Sequence, residues 1–301
     1  MSARELASIA FGRSRKGILV SLRVYYDKSG DENDCPVITV GGFLADSAIC
    51  EDIERDWELA TGGQIFHLKD FGTNHCKLGS RGWNETKRAD FLKRLAAIVN
   101  RPGCCIVSAS LEVAAFNKTL NEVAYANEIG PAFSGCAYAA FAFVETMLIN
   151  EKRQQQKVNY VFEKGDREHE IMNICADLDD KTSTLSGLRG FSFEPKCTTL
   201  LQPADLVAGI VQRCVRSAHI AFPSLDNGLA RTRLNTFERY YSSDGVTAAL
   251  VGGHDLNHCW IVNPSSFKFI DTVAKKFFET HPSHVKKRAK RATFKPKKVK
   301  Q

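Results

Sequence analysis

"ILVSLRVYYDKSGDENDCPVITVGGFL", residues 18–44, holds two β-rich runs on either side of a knot of turn formers. Residues 18–26 are aliphatic and aromatic, and 36–44 are β-branched with glycines at one end. Between them lies "DKSGDENDC", small, polar and charged. The pattern predicts an antiparallel hairpin with a wide loop. It also delivers a carboxylate, Asp27, to the end of the first strand. An aspartate there either opens a turn or supplies part of a metal site, and the residues further along have to separate the two.

Beyond the hairpin, Asp46 or Ser47 can cap a helix running to about Ala60, where Ile49, Ile53 and Trp57 recur at intervals of four. "QIFHLKDF" (64–71) is a short segment, followed by a glycine-rich loop to Gly82. Residues 84–99 form an amphipathic pattern, with Phe91, Leu92, Leu95 and Ile98 on one side and Lys87, Arg88, Lys93 and Arg94 around the other. "CCIVSASLEV" (104–113) reads as a strand, and 131–150, opening on a proline and apolar almost all round, reads as a buried helix. "KVNYVFEKGD" (157–166) is a second strand that ends in a carboxylate, Glu163, before a helix from about Arg167 to Asp179. "QPADLVAGIVQRCVRSAHIA" (202–221) is a helix with Pro203 in its first turn and an apolar stripe through Leu206, Ile210 and Val211. Residues 226–281 suggest two more helices around "GGHDLNHCWIVNP", and no internal repeat is visible.

Composition sets the frame for these elements. The chain has 301 residues, 44% of them hydrophobic, enough for a substantial core. Its net charge is +7, but nine of its cations and no acid fall from Lys286 onward; seven less nine leaves −2 for the rest. The expected organisation is one domain over 1–284 and a disordered basic tail over 285–301, whose Lys286, Lys287, Arg288, Lys290 and Arg291 are candidate phosphate contacts. A solvated tail that aids solubility is the plainer reading. No apolar run approaches the eighteen or so residues needed to cross a bilayer, and the N-terminus lacks a secretory pattern, so a cytoplasmic location is expected, nuclear if the host is a eukaryote. Ten scattered cysteines predict reduced, mostly buried thiols.

Three carboxylates share one kind of placement: Asp27 and Glu163 at strand ends, and Asp205 at the start of a helix. If the two strands lie parallel and adjacent, their carboxyl ends bring Asp27 and Glu163 together, where α/β sheets commonly build sites. Converging carboxylates repel at neutral pH unless a cation joins them, and hard oxygen ligands favour Mg²⁺ or Mn²⁺. Two such ions about 4 Å apart can activate water and steady the leaving oxygen of a phosphodiester. Small Ala204, Ala208 and Gly209 would let the helix carrying Gln202 and Asp205 lie close to the sheet. The plainer reading of Asp205 is that it complements the positive helix N-terminus.

In order along the chain, "YYDKSGD", "FHLKDF", "VFEKGD" and "LQPADLVAG" resemble the family described as domain of unknown function 3800, over about residues 20–220. The resemblance implies an α/β, ribonuclease H-like mixed sheet flanked by helices, here with helical C-terminal additions. It further implies a metal-dependent nuclease linked to mobile elements or to defence against them. Asp27, Ser29 and Gly30 match its Asp-Glu-Ser-Gly motif, and Gln202, Asp205 and Leu206 match its Gln-x-x-Asp-Leu helix. One departure stands out, because Lys28 replaces the motif's glutamate. Either that glutamate faces away from the site, as alternation along a strand suggests, or Asp31 or Glu32 substitutes, or the chain is inactive. Lys28 would also serve as a contact to a nucleic-acid phosphate.

His67 in "FHLKDF", with Asp70 nearby, is a candidate for proton transfer, although a histidine in an apolar context is commonly structural. Asp166 and Glu168 either join the metal shell or favour the following helix N-terminus. His254, His258 and Cys259 lack the second half of a zinc site, and no phosphate-binding glycine loop exists. Neither Cys104 nor Cys105 has the local support of a nucleophile. Trp57, Trp83 and Trp260 read as packing residues. The expected activity is therefore phosphodiester hydrolysis of nucleic acid, catalysed by Asp27, Glu163, Asp205 and His67 with two Mg or Mn ions. The competing readings are an inactive nucleic-acid- or protein-binding chain and a hydrolase of small phosphoesters.

Overall fold

A computed structural model describes residues 21–71, 78, 83–121, 130–151, 153, 156–165, 167–179, 189–221 and 259–261. The predicted helices of 226–281, the residues His254 and His258, Asp166 and the basic tail lie outside the described residues.

The hairpin is present: β1 (Ser21–Ser29) pairs antiparallel with β2 (Val37–Asp46). Both strands run further than their apolar patterns suggest. Asp27 therefore does not end β1 but pairs inside it with Gly41, and Ser29 pairs with Thr39. The turn closes on Gly30, whose φ of 92° and whose position against the Val37 carbonyl leave no room for a side chain.

Helix α1 (Ser47–Thr61) starts on Asp46, whose Oδ1 accepts from Ile49 N at 2.9 Å, a cap worth about 1 kcal/mol. It stops at Gly62 in the left-handed region. Asn84 caps α2 (Glu85–Val99) in the same way. Then come β3 (Cys105–Glu112), α3 (Val113–Asn121), α4 (Ala132–Asn150) and β4 (Lys157–Glu163). The chain continues through α5 (Glu168–Asp179), β5 (Arg189–Glu194), α6 (Leu201–Ala221) and a three-residue β6 (Cys259–Ile261). Neither α3 nor β5 is evident in the sequence pattern.

The strands form one mixed sheet in the order β5-β4-β1-β2-β3-β6, with β2 alone antiparallel to the rest. Alternation in β1 feeds two cores. Tyr25 joins Phe43, Trp57, Phe91 and Leu206 under α1, α2 and α6, whereas Val24 and Tyr26 join Phe116, Phe141 and Tyr160 under α4. Strands covered on both faces explain why residues 22–26 are apolar almost without interruption, Arg23 being the exception.

One expectation is corrected by α4. Its Ala132–Ile149 stretch is long and apolar enough, by length and composition, to cross a bilayer. Here 76% of that stretch is buried, with Cys136, Ala137, Ala140 and Phe141 wholly enclosed against the sheet, which accounts for an apolar circumference. Cys35, Cys50, Cys104, Cys105, Cys136 and Cys197 are free thiols; Cys50, Cys104 and Cys136 are buried and Cys197 is exposed. Burial holds the Cys104 thiol well above its usual range, which argues against a thiolate nucleophile there.

Candidate metal centre

The edge that matters is the carboxyl end of β1, β4 and β5. Here the chain order moves outward in opposite directions, β1 to β2 on one side and β4 to β5 on the other, and such switch points open a crevice. The register fixes what lines it. Tyr26 pairs with Phe162, Phe162 with Phe193, and Glu163 with Glu194. These three aromatics belong to or pack against the α4 core, so Asp27, Glu163 and Glu194, one residue on, face the α6 side.

Helix α6 reaches that face because β2 gives way beneath it. Gly41, the partner of Asp27, has the Ala208 Cα only 3.0 Å from where its Cβ would stand. Two glycines thus bring three segments together, since Gly209 lies against the Leu68 side chain with no space for a methyl group. Asp205 sits one turn before Ala208 and Gly209. Because α6 begins at Leu201, Asp205 falls in the second turn and not the first, so complementing the helix N-terminus is not its role.

Its carboxylate instead grips the 66–68 segment. Asp205 Oδ2 accepts from Leu68 N at 2.6 Å and from His67 Nδ1 at 2.9 Å. One turn earlier Gln202 Oε1 accepts from Phe66 N at 2.8 Å and from Trp57 Nε1 at 3.1 Å. The two motifs "FHL" and "QPAD" are therefore one clamp. His67 lines the crevice with Nδ1 held by this bond, and the Asp205 hydrogen bond raises its pKa. Asp70 closes the turn after it, donating from its backbone N to His67 O at 3.1 Å.

The three predicted acids do meet electrostatically. Burial raises the Asp27 pKa to about 7, the Asp205 charge and then that of Glu163 push the same way, and an Asp205 side-chain hydrogen bond favours the protonated form. Only the Lys28 backbone N–H, donating to Asp27 Oδ1 at 2.8 Å, opposes the shift. Among the described residues, no three carboxylate, imidazole or thiol side chains converge as a ready-made ligand set. The donor chemistry nevertheless fits a hard cation: a partly buried, mutually repelling set of carboxyl oxygens is what a divalent ion would relieve.

Lys28 follows the alternation of its strand. It lies 6.0 Å from the Phe133 ring of α4 and 4.0 Å from Asp31 Oδ2, on the side of the sheet away from Asp205. Asp31 and Glu32 do not reach the acids. Asp31 Oδ1 holds Asn33 N in an exposed turn, and Glu32 Oε1 accepts from Phe133 N and from Arg167 at 2.7 Å. Glu168 lines the far wall of the crevice and caps its own helix through Gly165 N. Trp57 and Trp83 are packing residues as expected, Trp57 wholly buried and Trp83 edge-on to Phe91.

The crevice has a volume of about 250 Å³. Sequence reasoning missed Glu194, which the register puts beside Glu163. The signal was available: "YYDK", "VFEK" and "SFEPK" each run aromatic, acid and then lysine near the end of a parallel strand, with Pro195 intervening in the third.

Fold and site together define an α/β protein with an acid-floored crevice at the carboxyl edge of a mixed sheet. Comparison with protein-family models, with curated proteins and with solved structures finds no match for this chain.

Proposed function

We propose that this protein is a divalent-metal-dependent nuclease of ribonuclease H-like fold. The observation that carries the reading is the electrostatic meeting of Asp27, Glu163 and Asp205, from β1, β4 and α6, with Asp27 raised to about 7 by burial first and then by the Asp205 and Glu163 charges. The strand order and the lone antiparallel β2 support the fold assignment. The resemblance to domain of unknown function 3800 belongs to the same proposal. Two of its pieces, "FHLKDF" and the more specific "LQPADLVAG", are hydrogen-bonded partners.

Asp27, Glu163 and Asp205 would hold the metal, which when bound supplies Lewis-acid activation of water and charge for the leaving oxygen. The chain's own part is positional. Gln202 and Asp205 fix His67, whose Nε2 is available to take a proton from an attacking water or to orient a phosphate oxygen. Lys28, across the strand, is placed to meet a phosphate at the rim.

A second reading, a binding protein that has lost catalysis, is favoured by one observation: Asp205 Oδ2 already takes two hydrogen bonds, as a purely structural aspartate would. Incubating the full chain with single- and double-stranded DNA, RNA and hybrid in Mg²⁺ or Mn²⁺ separates the two. Cleavage of at least one substrate is expected, falling more than a hundredfold in Asp27→Asn and Asp205→Asn, on the order of 3 kcal/mol or more of barrier. No cleavage across the whole panel would favour the binding protein.

A further inference from the structure

The acids of the three parallel strands β1, β4 and β5 are each followed along the chain by a cation. These are Lys28 after Asp27, Lys164 after Glu163, and Lys196 two residues after Glu194. Extending the register sets Lys28 beside Lys164 and leaves Lys196 one residue further out, past Pro195; all three line the crevice. With neighbouring strands about 4.8 Å apart, the row spans roughly 10 Å along the edge of the acidic floor.

Lys164 and Lys196 differ from the other cations of the crevice. Arg167 is spent on Glu32 at 2.7 Å and Glu170 at 3.3 Å, and Lys28 has Asp31 within 4.0 Å. Neither Lys164 nor Lys196 has a salt-bridge partner among the described residues, and both are exposed. Their backbones are nevertheless anchored. Lys164 N donates to Glu194 O at 2.8 Å, and Lys196 lies in a turn closed by Thr198 N donating to Pro195 O at 2.8 Å. Lys196 is close enough to His67 for its charge to oppose imidazole protonation, which puts it on the His67 side of the opening.

We infer that Lys164 and Lys196 are phosphate-binding residues that, with Lys28, hold a single-stranded nucleic-acid backbone across the ends of β1, β4 and β5. The inference deepens the nuclease reading and rests on it for the identity of the ligand. An acidic floor alone repels a polyanion; cations one or two residues outward draw the backbone to the edge and leave one phosphate over the carboxylates. The row gives affinity without sequence preference, because phosphate contacts position a strand and do not read its bases.

The test is fluorescence anisotropy of a labelled single-stranded octanucleotide, as DNA and as RNA, with the full chain in EDTA, where nothing is cleaved. Three proteins are compared: the natural chain, Lys164→Gln/Lys196→Gln, and a tail variant with Lys286, Lys287, Arg288, Lys290 and Arg291 changed to Gln. The crevice variant is expected to bind about tenfold more weakly at moderate salt and to lower the log–log salt slope by about 1.4, two phosphates at 0.7 each. Both side chains are exposed, so an unchanged melting temperature should accompany the loss, and Lys164→Glu/Lys196→Glu should weaken binding further. Unchanged affinity and slope in the crevice variant, with all loss confined to the tail variant, would overturn the inference, as would a natural chain that binds neither oligonucleotide. Cleavage in Mn²⁺ is measured in parallel. A nuclease whose KM ignores Lys164 and Lys196 defeats this inference alone, whereas lysine-dependent binding with no cleavage defeats the nuclease reading alone.

Discussion

Asp27 is a carboxyl group caught between two other acids, and its protonation should be visible in stability. Its folded pKa of about 7 lies above the unfolded value near 3.8, so the native state holds the extra proton. The contribution is fully present below about pH 4, and it is lost as pH rises through about 7. Asp27→Asn removes the charge while keeping the shape. The variant should therefore melt higher than the natural chain at pH 8, by on the order of 2–4 kcal/mol, and nearly alike at pH 4. Melting curves at the two pH values, without divalent metal, check this; equal curves at pH 8 would mean that Asp27 is not crowded by acids. Gln202 makes a separate case. Its side-chain oxygen satisfies two buried donors, so Gln202→Ala orphans the Trp57 indole N–H and the Phe66 amide together. Denaturant unfolding should show a loss of roughly 2–4 kcal/mol, against about 1 for an ordinary hydrogen bond.

Among the secondary-structure elements, α6 and β2 decide whether the acids meet. Gly41 faces Ala208 backbone, which cannot swing aside, whereas Gly209 faces the end of a flexible leucine. Gly41→Ala should lift α6 from the sheet and destabilise by about 1–3 kcal/mol, with Gly209→Ala the milder of the pair. Paired melting experiments check the order, and a reversal would place the tight contact elsewhere. The same elements show what could be read from sequence. Helices α1, α2, α4 and α6 announce themselves through caps and apolar spacing, and the hairpin through its turn formers. Strand β5 does not, because "RGFSFE" follows a run of polar residues and alternates over only two aromatics. The true end of β1 was hidden for a related reason. Residues 27–29 look like loop, yet they pair with 39–41, since a strand keeps its ladder as long as its partner supplies backbone groups.

For the molecule as a whole, the site is a product of topology. Asp27, Glu163 and Asp205 are far apart in the chain, and their spacing alone says nothing of distance. They come together because β4 adds parallel beside β1 and α6 returns across β1 and β2. The sequence carried the identity of the acids and the suspicion that strand ends mattered. What it could not carry was the clamp between "FHL" and "QPAD", which depends on α6 crossing 130-odd residues after the segment it grips, a separation of 136 to 138 residues. Nor could it show that Lys28, Lys164 and Lys196 line one crevice, which follows only once the three strands lie side by side.

Whether the acids share an ion is settled most directly by a crystal of the full chain grown with Mn²⁺ and measured for anomalous scattering. The expected result is a manganese peak within about 2.0–2.3 Å of carboxylate oxygens of Asp27 and Asp205, with Glu163 in the same coordination shell directly or through water. A crevice without manganese at saturating concentration, with Asp27 still protonated against Asp205, would contradict it.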